Sequence, residues 1–383
     1  MMIPVPVRRA SALAALVAIA VSGCAPTSKR LRAEIARGAP GAYLAGVPFV
    51  RQHRDGCGPA ALASVAAYYH LPVTQEQIAD EVFLPSIGAT LTIDLQRCAR
   101  DHGLWCHSGR GTLADVRTWL DRGVPVIALL RLGALNGRRH HYVVATGYHA
   151  RRGYVIAHTG HLSNRPIAFE RFEQELADAG GWHLAACPPE RVAWPLSAEG
   201  HNDLGLLLER QGKLADAAAE YQRAIKADPG KPVFHFNLGN VLAASGDAPG
   251  AERAYRKAIA IRPAFADAHN NLASVLLDVG RCHEAYRVAR RAVEIDGPRA
   301  AYYLDTLGRV LVALKSYDAA ERTFRRAMKE AGQRAEVTAD AHLGLIEALV
   351  RSGQHTQAAA EKDRLLASTS DPTLRQRADK LFE

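Results

Sequence analysis

The sequence predicts an α+β domain followed by an all-α repeat solenoid, on three observations. Residues 45–190 mix helix-period stretches with alternating β-branched runs. The segment Pro188 to Ser197 holds three prolines, which remove donors and disfavour helix, and places a linker at 191–197. From Ala198 onward Ala, Leu, Arg and Glu recur at helical period, and the pattern repeats. With 383 residues, 48% hydrophobic and 23% charged, the chain has ordinary globular composition and the length of two or three domains. Its formal charge is +9, but basic residues are scattered among acids and form no block with interleaved aromatics. No nucleic-acid partner is therefore expected. A Gly-rich loop ending in Lys-Ser or Lys-Thr is absent, so no ATPase accompanies the first domain.

Residues 1–24 begin with Arg8-Arg9, continue through the apolar run Ala10 to Val21 and close on Val21-Ser22-Gly23-Cys24. A basic region, a short apolar core and small residues before a cleavage point make a secretory signal, too short to span a bilayer comfortably. The final tetrapeptide resembles the lipobox of bacterial lipoproteins. That resemblance implies that Cys24 becomes the lipidated first residue of the mature chain. Ala25 after it, in place of Asp, points to the outer membrane, facing the periplasm. Residues 25–44 are then expected to be a tether with a short helical piece around Leu31 to Arg37. In an oxidising compartment Cys98 and Cys106, eight residues apart, either bridge or stay as two small buried thiols, while Cys187 and Cys282 read as buried or unreactive.

The chemistry of the first domain gathers around Gln52-His53-Arg54-Asp55-Gly56-Cys57-Gly58-Pro59-Ala60-Ala61-Leu62. Gly-Cys-Gly-Pro opens onto an apolar, Ala-rich run to Tyr69, which puts Cys57 in the first turn of a buried helix. Unpaired N–H groups and the positive dipole end there favour an anion, so the thiol is expected to ionise as a nucleophile. Pro59 fits the first turn because it has no N–H to lose. Gln52, five positions upstream, can offer an amide N–H to an oxyanion beside the sulfur.

Thr74-x-x-Gln77 has capping-box form and starts a helix through Val82. A second helix is expected over Leu91 to His102. A third, capped by Thr112, places Leu113, Val116, Trp119 and Leu120 on one face. Strands follow at Val124 to Leu130, His141 to Tyr148 and Tyr154 to His158, then a helix from Phe169 to Ala177 and a strand from Trp182 to Cys187. The middle strand carries His140-His141-Tyr142-Val143-Val144, and a nucleophilic Cys needs such a His from elsewhere in the chain.

These two motifs, in this order, resemble the bacteriocin-processing, double-glycine leader peptidase-like group, with a papain-like cysteine peptidase fold, over roughly residues 45–190. The resemblance implies Cys57 as nucleophile, His141 rather than His140 as base, and Gln52 as oxyanion donor, although Gln52 stands one residue closer to the Cys than in several relatives. An Asp of the family pattern would fall on His158, where this sequence has none. His158 can accept from His141 through one ring nitrogen but brings no negative charge. Asn164, in the next loop, is the rival for that role. Active relatives would hydrolyse a peptide bond. The alternatives are a fold that docks peptide without cutting it and an amidase or acyltransferase on the same fold.

Leu204-Gly205, Leu238-Gly239 and Leu272-Ala273 are 34 residues apart, with Leu307-Gly308 following at 35. Gly212, Gly246 and Gly280 mark turns, Ala217, Ala251, Ala285 and Ala320 are small positions, and Tyr221, Tyr255 and Phe324 fill a core layer. This resembles the tetratricopeptide repeat, in four clear copies and one divergent, over 198–369, with a capping helix in 370–383. A protein or peptide partner is implied on the first helices, where Asn237, Asn240, Asn270 and Asn271 can clamp backbone. No cofactor is expected. The histidines 140, 141, 149, 158 and 161 lack the tight spacing of zinc sites, so no metal is expected of them.

Overall fold

A computed structural model describes residues 26–53, 56–132, 139–295, 300–332, 335–369 and 371–382. The expected secretory segment with Cys24 lies outside these residues, as do Arg54 and Asp55. No helix among the described residues is long and apolar enough to cross a membrane. The chain divides into two compact units, Met1–Ala193 and Trp194–Glu383.

The first unit is α+β. Its helices are α1 (Ser28–Ala36), α2 (Cys57–Tyr68), α3 (Gln75–Val82), α4 (Thr92–Asp101), α5 (Leu113–Asp121) and α6 (Phe169–Asp178). Its strands are β1 (Gly41–Tyr43), β2 (Phe83–Leu84), β3 (Ala89–Thr90), β4 (Trp105–Arg110), β5 (Val126–Leu132), β6 (Arg139–His149), β7 (Tyr154–Thr159), β8 (Leu162–Ala168) and β9 (Trp182–Cys187). One antiparallel sheet runs β4-β9-β5-β6-β7-β8, with β1 pairing β6, and β2-β3 is a separate hairpin. The helix starts follow local chemistry. Thr74 and Gln77 form the expected reciprocal capping box, and Thr112 forms a second with Asp115.

The sheet is covered on both faces, which is why β6 reads as a nearly continuous apolar run. Tyr142 and Val144 pack with Ala61, Leu62 and Val65 of α2, and the alternate residues Val143 and Ala145 are buried as well. Gly58 through Ala66 of α2 are all buried, as expected of a helix apolar on every side.

The structure departs from the sequence expectation in two places. β8 was not expected, because Leu162-Ser-Asn-Arg-Pro-Ile-Ala is polar and holds Pro166, residues tolerated only because β8 is an edge strand. The segment expected to be a tether belongs to the fold from Ser28 on. Leu31 of α1 is fully buried, Glu34 binds the Arg152 guanidinium through both oxygens at 2.5 and 2.8 Å, and β1 pairs β6. Arg152, more than Arg30, lowers the Glu34 carboxyl to about 2. Of the two outcomes left open for Cys98 and Cys106, the structure has the unbridged one, with both thiols buried. The Cys106 thiol donates to the Leu104 carbonyl, and Cys98 donates to Glu81.

The second unit is an all-helical array. Its helices are α7 (Ala198–Arg210), α8 (Leu214–Ala227), α9 (Pro232–Ala244), α10 (Ala248–Ile261), α11 (Ala266–Asp278), α12 (Cys282–Ile295), α13 (Ala300–Ala313), α14 (Tyr317–Ala331), α15 (Ala335–Arg351), α16 (His355–Ser368) and α17 (Pro372–Lys380). The repeated Gly has a steric cause. A Cβ on Gly205, Gly239 or Gly308 would stand 2.5–2.6 Å from the rings of Tyr221, Tyr255 and Phe324 respectively, so each first helix must be bare where the aromatic of the second enters. Ala217, Ala251, Ala285 and Ala320 are fully buried between paired helices. His235 and His269 donate through Nε2 to the carbonyls of Pro229 and Pro263, tying each first helix to the end of the preceding one.

Candidate active site

Cys57 is the first residue of α2, with Gly56 as N-cap. Among the described residues no side chain caps this end and no acidic residue lies in its first turn, and the helix N–H groups and dipole favour an anion there. The approach to the helix is held from two sides. Ser64 Oγ on α2 accepts from the Val50 N–H at 3.2 Å. The buried Gln75 amide has its two polar atoms 3.1 Å from the Arg51 carbonyl and the His53 N–H, and in the orientation that satisfies both it donates to the first and accepts from the second, bracketing Gln52.

A cleft of about 490 Å³ opens over this helix end. Gln52 and Cys57 line it together with residues 88–92 on one wall and Leu129 and residues 139–142 on the other. Thr90 packs against Gly58, where a Cβ would come within 3.0–3.2 Å of its side chain, and the Tyr142 hydroxyl donates to the Thr90 carbonyl. The two walls are thus joined beside the thiol. His141, opposite Leu130 in the ladder, is partly buried. Burial, and then the like charge of His161, lower its pKa, which keeps the imidazole neutral near pH 7 and fit to accept a proton.

Gly160, which the sequence reading missed, brings the amide and the imidazole together. A Cβ there would lie 3.2 Å from His141 Nε2 and 3.3 Å from Gln52 Oε1, and its φ of 51° is in the left-handed region. The Gly160 carbonyl also accepts from the Gln52 N–H. Its only sequence signal was a Gly closing the strand after the His-strand. Gln52 Oε1 is buried and has no hydrogen-bond partner among the described residues.

His158 does not take the role expected of it. Its Nε2 donates to the Val47 carbonyl at 3.0 Å and its Nδ1 accepts from the Asn164 N–H at 3.1 Å, so both ring nitrogens are engaged by backbone. It is 5% exposed, and burial lowers its pKa. Asn164 does not orient His141 either, because its Oδ1 accepts from the Tyr43 hydroxyl. The polar demands of the β1 and β7–β8 segments hold both side chains. His149, another member of the histidine-rich stretch, is buried with Nε2 3.1 Å from Glu34 and Nδ1 accepting from the Arg152 N–H.

On the array, the asparagines expected as open clamps bond largely to one another. Asn237 Nδ2 donates to Asn202 Oδ1 and Asn271 Nδ2 to Asn240 Oδ1, each linking consecutive repeats, and Asn270 Nδ2 donates to Asn271 Oδ1. The Tyr255 hydroxyl also donates to Asn240. Tyr221, Tyr255 and Phe324 are core residues, at most 1% exposed.

Residues 44–174 match the Peptidase_C39 like family. Residues 205–246 and 239–280 match one TPR repeat family, and 264–329 and 306–373 match two further tetratricopeptide repeat families. No curated protein matches the chain. Solved structures similar to it include Pseudomonas aeruginosa pilF, at 22% identity and TM-score 0.41 over 48% of this chain and 84% of that one. YrrB, a TPR protein with an unusual peptide-binding site, is 21% identical with TM-score 0.40, over 48% and 92%. TTC0263, a thermophilic TPR protein in Thermus thermophilus, is 21% identical with TM-score 0.41, over 49% and 99%. Sequence motifs, sheet and helix pairs, and family matches agree: the chain carries a Peptidase_C39-like domain at residues 44–174, followed by tetratricopeptide repeats across residues 205–373.

Proposed function

We propose that the protein is a cell-envelope lipoprotein whose first domain is a cysteine peptidase and whose repeats hold a peptide or protein partner. The observation that carries the reading is that Cys57, at a helix N-terminus, lines one cleft with Gln52 and His141. His141 takes the thiol proton, the thiolate attacks the scissile carbonyl, and Gln52 donates its side-chain N–H to the oxyanion. The imidazolium then protonates the leaving amine, and water releases the acyl group from sulfur. Cys24 carries the lipid and anchors the chain in the outer membrane, with both domains in the periplasm. With α1 docked from Ser28, little chain remains between that anchor and the catalytic domain.

The test is labelling and turnover of the mature protein with a thiol-reactive peptide probe. Cys57→Ala and His141→Ala should each abolish both, and the lowered His141 pKa should place the acid limb of kcat/KM below pH ~6.5. A Cys57 that reacts with iodoacetamide only above pH ~8 sinks the activated pair. Separately, Cys24→Ala should leave the membrane fraction or stay unprocessed, and a wild-type protein soluble in the periplasm refutes the anchor.

A second reading has its own observation. Among the described residues no side chain orients His141, since His158 and Asn164 are both engaged elsewhere. A site so built favours peptide docking with little or no cleavage. Tight peptide binding with no turnover, undiminished in Cys57→Ala, would decide for it.

A further inference from the structure

We propose that Glu81, Cys98 and His102 form a binding site for a zinc-class divalent metal, apart from the catalytic cleft. Cys98 and His102 are four residues apart, so α4 and its C-cap present sulfur and imidazole on one face. Glu81 reaches them from α3. The donor atoms of the three residues lie within 4.8 Å of one another, and His102 Nε2 is 2.9 Å from Glu81 Oε1. Thiolate, imidazole and carboxylate together are a borderline donor set suited to zinc, and three protein ligands leave a fourth position for water.

Access is graded as such a site requires. Cys98 is 2% exposed, whereas the His102 and Glu81 side chains are 29% and 44% exposed, so an ion enters from the solvent side and meets the sulfur last. On ligation the Cys98 S–H bond breaks, a sulfur–metal bond forms, and the proton passes to solvent. The metal replaces the present hydrogen bonds from Cys98 and His102 to Glu81 with bonds to one cation.

The position gives the site a consequence. α3 and α4 are joined by the β2–β3 hairpin and residues 88–92, the wall of the catalytic cleft. A metal bridging Glu81 to Cys98 and His102 closes that segment at its base and steadies the wall. Metal binding itself does not depend on the domain being a peptidase.

The experiment uses the mature chain as Cys57→Ala, so that the catalytic thiol cannot ligate, treated with chelator and titrated with Co²⁺ and then Zn²⁺. One equivalent of Co²⁺ should give tetrahedral d–d bands and a thiolate charge-transfer band, and Zn²⁺ should displace it. Cys98→Ser should lose the charge-transfer band. Because Cys98 is buried and its replacement can disturb folding, the half-exposed Glu81→Gln serves as the second variant, with at least tenfold weaker binding expected. Absence of stoichiometric binding in Cys57→Ala, or binding unchanged in both Glu81→Gln and His102→Ala, overturns the proposal. Binding that persists while peptide turnover of the Cys57 protein is absent separates this site from the peptidase reading.

Discussion

The cleft at Cys57 and the repeat array are built from the same kind of contact at different range. In the array, Gly205 meets Tyr221, Gly239 meets Tyr255 and Gly308 meets Phe324, each pair 16 residues apart on adjacent helices. In the cleft, Gly160 meets Gln52 from a segment before α2 and His141 from the neighbouring strand. A bare Cα makes room in both. In the array the vacancy recurs and serves packing, whereas at Gly160 it sets where the His141 imidazole and the Gln52 amide stand. Local contacts leave a periodic trace in sequence, and a single long-range contact leaves none.

The sharpest way to break this comparison is Gly160→Ala. The new methyl would stand 3.2 Å from His141 Nε2 and 3.3 Å from Gln52 Oε1, so both groups must give by a few tenths of an ångström. Since about 1 Å of misplacement can cost roughly hundredfold in rate, the expected loss is about tenfold, about 1.4 kcal/mol. Turnover should fall by that order, with at most about 1–2 kcal/mol lost in stability from the left-handed backbone. Retained wild-type turnover would show that the two side chains are not placed by this residue.

Gly239→Leu is the matching change in the array. It drives a side chain into the Tyr255 ring, and overpacking of this kind costs about 1–3 kcal/mol. Denaturant unfolding should show that loss, while kcat on a short peptide stays at the wild-type value. A drop in kcat comparable with that of Gly160→Ala would mean that the array and cleft are not separable in the way described.

The smallest effect is expected at His158. Its removal strands the Val47 carbonyl and the Asn164 N–H, a cost of about 1–2 kcal/mol in stability. The melting temperature should fall, and the acid limb of the pH profile, which reports His141, should not move. Movement of that limb would instead couple the His158 ring to the base and restore the role that the family pattern assigned to this position.

The sequence by itself determined the two-part architecture and most element positions, because each rests on local chemistry. Thr74 and Gln77 cap a helix whatever surrounds them, the apolar run from Ala60 demands burial, and a period of 34 needs no tertiary context. It also marked the residues lining the cleft, since Gly-Cys-Gly-Pro before such a run places a thiol at a helix start, and the strand beginning at Arg139 carries His141 into the same cleft. Only the tertiary structure decided which side chains serve those groups. His158 and Asn164 have the right chemistry for orienting an imidazole, but β1 and the segment before α2 pass close by and claim them with Tyr43 and Val47. Gly160 has no polar group at all on its side, and its part follows from two distant side chains needing the space. Likewise Glu81 is an ordinary surface acid in the sequence and lies beside Cys98 and His102 only because the β2–β3 hairpin folds α3 back against α4.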